Sequence, residues 1–239
     1  MNLLELPDIT IEGGARGESA PLVMVLGGRA PSPEFLASLA RGCELWAVDR
    51  GVEACRAAGI APAVLVGDRD SGSAEGWRWA AERGAATREY QSDKDLTDFQ
   101  LALEIFADER KNSEKNIILT GALGGRFDHL WSLTLSFLNM TRAGVPFCMM
   151  DDREGMIFVR GGEAYALAFA RRPKALSLLA FSPVCSGVNL SGVHWPLTGA
   201  ELRRDVPYAV SNRVEGEGRV EASCASGTLG LYWTWGDAF

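Results

Sequence analysis

The stretch that decides the fold is A-V-L-V-G-D-R-D-S, residues 63–71. Its first four residues form a short apolar run, typical of a buried parallel strand. Asp68 and Asp70 follow where that strand would end, and in open α/β sheets ligands bind at this edge. If the chain stays extended there, both carboxylates lie on one side and repel each other, and a hard divalent cation would offset the repulsion. A solvated, aspartate-rich turn explains the same residues equally well.

Outward from this stretch, apolar runs alternate with helical patterns through the first 150 residues. Strands are predicted at 22–26, 44–48, 63–66, 87–90, 116–120 and 146–150, and helices at 33–41, 52–58, 74–83, 96–107 and 127–140. This alternation indicates a doubly wound, mostly parallel sheet, after a weakly patterned lead-in over residues 1–20.

The composition changes near residue 152. From Met156 onward, short strand-like runs follow one another, separated by Gly, Pro and Asn, and helical periodicity is almost absent. Strands are predicted there at 156–159, 164–168, 175–181, 187–190, 208–212, 219–223 and 227–233. This pattern is typical of an all-β domain, a sandwich or a barrel. The predicted fold is therefore α/β plus all-β, with an α/β domain over residues 1–152 and a β domain over 153–239.

The composition also limits the function. With 239 residues, 47% of them hydrophobic, the chain can bury a sizeable core. Its net charge of −7 argues against nucleic acid as the main partner, because binding to a phosphate backbone needs a basic face. The five cysteines are dispersed, and neither a signal peptide nor a membrane-spanning run is evident. We therefore expect a cytoplasmic protein with reduced thiols and no membrane partner.

Four predicted strand ends carry charged or glycine-rich residues. They are Gly27-Gly28-Arg29, Asp49-Arg50-Gly51, Gly67 to Ser71 and Gly121 to Asp128. Because parallel strands place their carboxyl ends at one edge, we expect these groups to converge. Glycine-rich turns before a helix let backbone N–H groups approach phosphates, and Arg126 offers a forked phosphate partner.

Three further features have both a structural and a functional interpretation. Asp95 and Asp98 share a face at the start of a predicted helix, so they could act together in a site. Acidic residues at this position also cap a helix, and this structural explanation is weaker for Asp98 than for Asp95. Trp195 precedes a proline in a loop, so it is either a packing residue or a platform for a planar or cationic ring. With two histidines and dispersed cysteines, a zinc site is not expected.

Together these motifs resemble the thiamine pyrophosphokinase family from about Leu22 to the C-terminus. The matching segments are V-D-R-G at 48–51, G-I-A-P-A-V-L-V-G-D-R-D-S at 59–71, D-K-D-L-T-D-F at 93–99, G-A-L-G-G-R-F-D-H at 121–129, W-P-L at 195–197 and S-N at 211–212. The resemblance implies an α/β nucleotide domain, a C-terminal β-sandwich and a homodimer with active sites between subunits. It also implies transfer of the pyrophosphoryl group of ATP to the hydroxyl of thiamine, with Mg²⁺, giving thiamine diphosphate and AMP.

The same resemblance implies roles for individual residues. The positions that bind magnesium and orient phosphates are Asp49, Asp68, Asp70 and Asp98, and those on the ATP or phosphate side are Ser71, Lys94, Thr97, Arg126 and Asp128. The positions on the thiamine side are Trp195, Ser211 and Asn212, with Trp195 as a stacking surface. Catalysis is expected from Asp68, Asp70 and Asp98, with Arg126 steadying the transferred group.

This chain departs from the family pattern at Arg50, where the family usually has a glycine, and at Arg69, where an apolar residue is common. Lys94 falls where the family often has glutamine. Either arginine could contact phosphate or pair with the carboxylates. Two other functions stay open from the residues. The same α/β domain could belong to a pyrophosphokinase that acts on another heterocyclic alcohol, such as a hydroxymethyl pterin. Alternatively, the protein could be a sensor that binds thiamine or a nucleotide without turnover.

Overall fold

A computed structural model describes residues 3–13, 20–68, 72–90, 95–109, 115–140 and 148–236, and it divides into two compact units. The α/β unit contains residues 20–140 and Met149–Asp152 within these ranges, and the β unit contains the rest. The first described residues form two antiparallel strands, β1 (Leu3–Leu6) and β2 (Ile9–Gly13), and they belong to the β unit.

Five parallel strands form the described sheet of the α/β unit. They are β3 (Leu22–Val25), β4 (Glu44–Val48), β5 (Val64–Gly67), β6 (Ala86–Glu89) and β7 (Ile117–Thr120). They lie in the order β7-β3-β4-β5-β6, with β8 (Cys148–Met150) beside β7. Because β3, β5 and β7 are buried along their whole length, these strands are covered on both faces of the sheet, whereas the edge strand β6 is exposed.

The described residues form five helices, all in the α/β unit. They are α1 (Pro33–Leu39), α2 (Gly51–Ala58), α3 (Ala74–Glu82), α4 (Asp98–Glu109) and α5 (Phe127–Met140). α1 begins where the Ser32 hydroxyl accepts the Phe35 N–H, and α2 ends at Gly59 in a left-handed conformation. Phe99 of α4 meets Phe137 of α5 edge to face, so both helices share a core. Among these helices none is long and apolar enough to cross a membrane.

The β unit consists of two antiparallel sheets. Its remaining strands are β9 (Glu154–Arg160), β10 (Glu163–Phe169), β11 (Ala175–Ala180), β12 (Val184–Ser191), β13 (Leu197–Arg203), β14 (Arg219–Cys224) and β15 (Thr228–Thr234). One sheet has the order β1-β2-β10-β14-β12-β13, and the other strands have the order β11-β15-β9. Phe169 of one sheet meets Trp233 of the other edge to face, with ring centroids 5.7 Å apart. The predicted combination of an α/β fold and a β-sandwich is confirmed.

The N-terminal segment differs from the prediction. Residues 1–20 were expected to be a lead-in to the α/β domain, but β2 pairs with β10, with Ile9 opposite Phe169 and Gly13 opposite Tyr165. Ile9 and Ile11 are buried, whereas Thr10 and Glu12 between them are partly exposed. This alternation points Ile9 and Ile11 into the core while β1 and β2 extend the sheet of the β unit beyond β10, so the expected limit of 1–152 for the α/β domain does not hold for residues 3–13.

One strand prediction in the β unit was wrong, and one strand was not predicted. Residues 208–212 do not form a strand, because Ser211 has a left-handed backbone (φ 59°) and pairing is limited to one bridge between Asn212 and Leu176. β13 was missed, because Gly199 interrupts it and most of its side chains are exposed, so it lacks an apolar alternation.

Candidate active site

A cleft of about 900 Å³ lies in the α/β unit at the carboxyl ends of the parallel strands. Segments after β3, β4, β5 and β7 line it, together with the first turns of α4 and α5. The expected convergence of the four strand ends therefore occurs in the structure. Its main lining segments are Leu26–Arg29, Val48–Arg50, Asp68, Leu96–Phe99, Gly121–Ala122, Gly124–Arg126 and Asp128–Leu130.

Glycines allow two backbone turns to meet in the wall of this cleft. The Gly28 N–H donates to the Gly121 carbonyl at 2.7 Å, and the Arg29 N–H donates to the Leu123 carbonyl at 3.0 Å. A Cβ at Gly28 would lie 2.6 Å from the Gly121 carbonyl oxygen, and one at Gly121, which has φ +64°, would lie 2.3 Å from the Leu26 carbonyl oxygen. Both positions therefore require glycine, and the turns present backbone rather than side chains to a ligand.

Three aspartates from different elements meet in the cleft. Asp49 follows β4, Asp68 follows β5, and Asp98 opens α4. One carboxylate oxygen of each lies within 4.8 Å of the others, and all three residues are half-buried. We call this group the aspartate trio. Carboxylate oxygens at such separations suit a hard divalent cation such as Mg²⁺. Of the four expected metal ligands, Asp70 lies outside the described residues.

Arg126 and Asp128 lie at the mouth of the cleft and pair with each other. The Arg126 Nη2 donates to Asp128 Oδ2 at 2.5 Å, and Nε donates to Oδ1 at 3.1 Å. Their hydrogen bond raises the pKa of Arg126 and lowers the pKa of Asp128. The side chains are 74% and 62% exposed, so the pair contributes little to stability and a ligand can displace it.

Thr97 lines the cleft but also caps α4. Its N–H donates to Gln100 Oε1 at 2.9 Å, and the Gln100 N–H donates to the Thr97 hydroxyl at 3.3 Å. This reciprocal pair is a capping box, which fixes the helix that carries Asp98. The expected ATP-side residues Ser71 and Lys94 lie outside the described residues, as does Arg69. Arg50 lines the cleft at the start of α2.

The structure adds one pair that the sequence did not suggest. Arg29 lines the cleft and donates through Nε and Nη2 to Asp151, which follows β8. In the sequence each of these residues follows a predicted strand, and this position is the only feature that could have indicated a role in the cleft. Since they are 122 positions apart, that feature does not pair them.

The residues expected on the thiamine side lie together in the β unit. The Trp195 N–H donates to Asn212 Oδ1 at 3.1 Å, and Asn212 Nδ2 donates to the Trp195 carbonyl at 2.8 Å. Asn212 is buried, so it fixes the backbone of the loop while the Trp195 side chain stays 56% exposed. Arg213 lies over the indole at 5.3 Å from the ring centroid. The neighbouring Ser211 N–H donates to the Ser177 hydroxyl at 3.0 Å.

Comparisons with known proteins identify the family of this chain. A model of the thiamin pyrophosphokinase catalytic domain matches residues 37–149, and a model of the vitamin B1 binding domain of thiamin pyrophosphokinase matches residues 166–229. The two matches together span most of the chain, in the order of its units. The chain belongs to the thiamine pyrophosphokinase family. The family, the function and the enzyme class that the motifs predict are thereby confirmed.

Individual relatives support the same assignment. Thiamine pyrophosphokinase of Bacillus subtilis is 26% identical over 171 residues, which are 71% of this chain and 78% of that protein. A crystal structure of the Bacillus subtilis thiamine pyrophosphokinase matches 91% of this chain and all of its own, with a TM-score of 0.78 and 21% identity. That of thiamin pyrophosphokinase from Candida albicans matches 98% of both chains, with a TM-score of 0.74 and 18% identity. These two structures share the fold of this chain.

Proposed function

We propose that the cleft of the α/β unit binds ATP with Mg²⁺ and that the aspartate trio holds the metal during pyrophosphoryl transfer to thiamine. The trio carries this proposal, because three carboxylate oxygens within 4.8 Å repel one another unless a cation lies between them. The donors are all carboxylate oxygens, which fits magnesium and not zinc. Asp70 belongs to the proposed ligand set from the family resemblance.

The chain's own residues would bind and orient the polyphosphate. Attack of an alcohol on the β-phosphorus requires the two reactants in line and little covalent chemistry from the protein. The turns at Gly28 and Gly121 present backbone to the phosphates, and Arg126 exchanges Asp128 for the transferred group. When bound, the metal supplies Lewis-acid stabilisation of phosphate oxygens. Ser71, Lys94 and Thr97 are proposed on the ATP side by resemblance.

The thiamine ring would lie on Trp195 in the β unit. An exposed indole on a loop fixed by Asn212 is a rigid aromatic surface, and aromatic faces attract cationic rings such as a thiazolium. Ser211 stands beside this loop in a left-handed conformation. We assign Asn212 the role of holding the Trp195 loop, since its side-chain amide already spans the loop backbone.

A homodimer belongs to the same proposal. Phe127, Trp131 and Leu135 are exposed, lie four residues apart on α5, and form an apolar stripe, with Phe127 stacked on Trp131. Exposed apolar stripes of this kind are commonly covered by a partner, and the family resemblance implies a second copy of this chain as that partner. Trp131→Glu should shift the protein to monomer in size-exclusion chromatography with light scattering. Trp79→Glu on α3 serves as the control, and equal monomer formation by both would contradict this assignment.

We also propose a cytoplasmic location, in which the thiols stay reduced. All five cysteines are free in the structure, and four of them are buried. Fractionation of the source cells, with immunodetection of the protein, tests this assignment. Recovery with the membrane or secreted fraction would contradict it.

The deciding experiment follows AMP and thiamine diphosphate by chromatography after incubation with ATP, thiamine and magnesium. Both products should form in equal amounts and disappear on chelation. Asp98→Asn should abolish turnover, whereas Asp95→Asn, an exposed neighbour outside the trio, should keep it. AMP formation only with a hydroxymethyl pterin would assign a different acceptor. Binding of thiamine without any turnover would indicate a sensor.

A further inference from the structure

Arg29 is held against a buried carboxylate in the wall of the cleft. Its Nε and Nη2 both donate to Asp151 Oδ2, at 2.8 Å and 2.5 Å. Asp151 is 1% exposed and the Arg29 side chain is 26% exposed. A buried carboxylate needs charged donors to offset its desolvation, so Asp151 keeps the guanidinium plane in one orientation. The next residue, Asp152, accepts the Ser32 N–H and ties the same turn in place.

The glycine-rich loop after β7 passes directly over this arginine. A Cβ at Gly124, where φ is +69°, would lie 3.0 Å from Arg29 Cβ and 3.2 Å from Arg29 Nη1. The Arg29 N–H also donates to the Leu123 carbonyl. The Nη1 end of the guanidinium therefore lies beside the loop backbone that faces the cleft. A phosphate placed against that loop would come within reach of this end.

The environment of Arg29 differs from that of Arg126. Arg126 is 74% exposed and its carboxylate partner is 62% exposed, so a ligand must displace that partner and order a side chain that is surrounded mostly by solvent. Asp151 has already fixed Arg29. A polyphosphate that enters a cleft with three carboxylates gains most from a positive charge that is in place before it arrives.

We propose that Arg29, oriented by Asp151, is a phosphate-binding residue of this cleft. The inference rests on the proposed function only in naming ATP as the ligand. Under the competing explanation, the Arg29–Asp151 pair stabilises the fold and does not contact the nucleotide. The two explanations differ in what happens when both charges are removed together.

The test measures ATP binding by titration calorimetry with magnesium and without thiamine, together with the melting temperature. Arg29→Gln should weaken ATP binding by about tenfold, the effect of losing one charge-assisted hydrogen bond. It should also lower the melting temperature, because Asp151 is left buried without that partner. The double variant Arg29→Gln/Asp151→Asn should recover the melting temperature but not the affinity. Asp151→Asn alone should weaken binding less, since the charge of Arg29 remains, and Arg41→Gln on the surface should change neither quantity.

Wild-type affinity in the double variant, or in Arg29→Gln, would overturn the assignment of Arg29. Absence of ATP binding by the wild-type protein would overturn it as well. If the wild-type protein binds ATP but transfers nothing to thiamine, the proposed function fails, whereas the role of Arg29 is still decided by the affinities of the variants.

Discussion

Replacing one member of the aspartate trio should make the metal-free protein more stable than the wild type. In magnesium, the same variant should be less stable than the wild type. Asp68→Asn suits this test, because Asp68 lies at the end of a buried strand and does not have the left-handed backbone of Asp49. The substitution keeps the size of the side chain and removes one negative charge. The loss of this charge also removes two of the three charge–charge repulsions within the aspartate trio.

The geometry sets the size of the effect. Two unit charges 4.8 Å apart repel by about 0.9 kcal/mol in water, so losing two such pairs stabilises the metal-free protein by about 1.7 kcal/mol. For a chain of this size that corresponds to a rise in melting temperature of about 3–7 °C. Magnesium at a hundred times its dissociation constant should stabilise the wild-type protein by about 2.7 kcal/mol, and it should leave Asp68→Asn unchanged.

The assay is thermal unfolding at low ionic strength, in EDTA and then in magnesium. The two proteins should exchange rank, with Asp68→Asn the more stable in EDTA and the wild type the more stable in magnesium. Asp95→Asn is the matched control and should follow the wild type in both buffers. The reasoning is refuted if Asp68→Asn is no more stable than the wild type in EDTA and still gains stability from magnesium.

Three further predictions concern the glycine turns, the Trp195 loop and the thiols. Gly28→Ala should cost about 1–3 kcal/mol of stability and raise the KM for ATP, because its methyl group would meet the Gly121 carbonyl; unchanged unfolding and kinetics would contradict this. Asn212→Ala should raise the KM for thiamine more than that for ATP, as the Trp195 loop loses two hydrogen bonds; equal changes would assign Asn212 a general structural role. In a thiol titration of the native protein Cys43 should react first, since the other four cysteines are buried and burial raises the pKa of Cys55 to about 12; early labelling of Cys55 would contradict this.

The α/β sheet can be predicted from the sequence because its buried strands and helices show apolar patterns within short segments. The strands β3, β5 and β7 are buried throughout and consist almost entirely of apolar residues, and α4 shows a helical stripe that includes Phe99 and Leu103. The segments that form β1 and β2 have a weaker strand pattern. β1 pairs only with β2 among the described strands, and the other partner of β2, β10, lies about 150 residues further on, a distance over which pairing has no signature in either segment alone.

The candidate active site likewise contains features that can be predicted from the sequence and features that cannot. Parallel topology brings strand ends together, so the meeting of Asp49 and Asp68 could be predicted from the order of the elements. The capping box of Thr97 and Gln100 is also readable from its spacing, although the family pattern assigns Thr97 to the nucleotide. The contact between Arg29 and Asp151 could not be predicted, since it depends on how two loops stack in three dimensions.

The place of β1 and β2 has a consequence for how the protein is made on the ribosome. These strands are synthesised before the other described elements, yet β2 pairs with β10, and Glu12 pairs with Arg219, 207 residues later. The α/β segment emerges in between and contains all the partners of its own parallel strands, so it can fold during translation. β1 and β2 then remain without β10, with Ile9 and Ile11 uncovered, until β10 has left the exit tunnel. Chaperone capture during synthesis should therefore concentrate on residues 3–13.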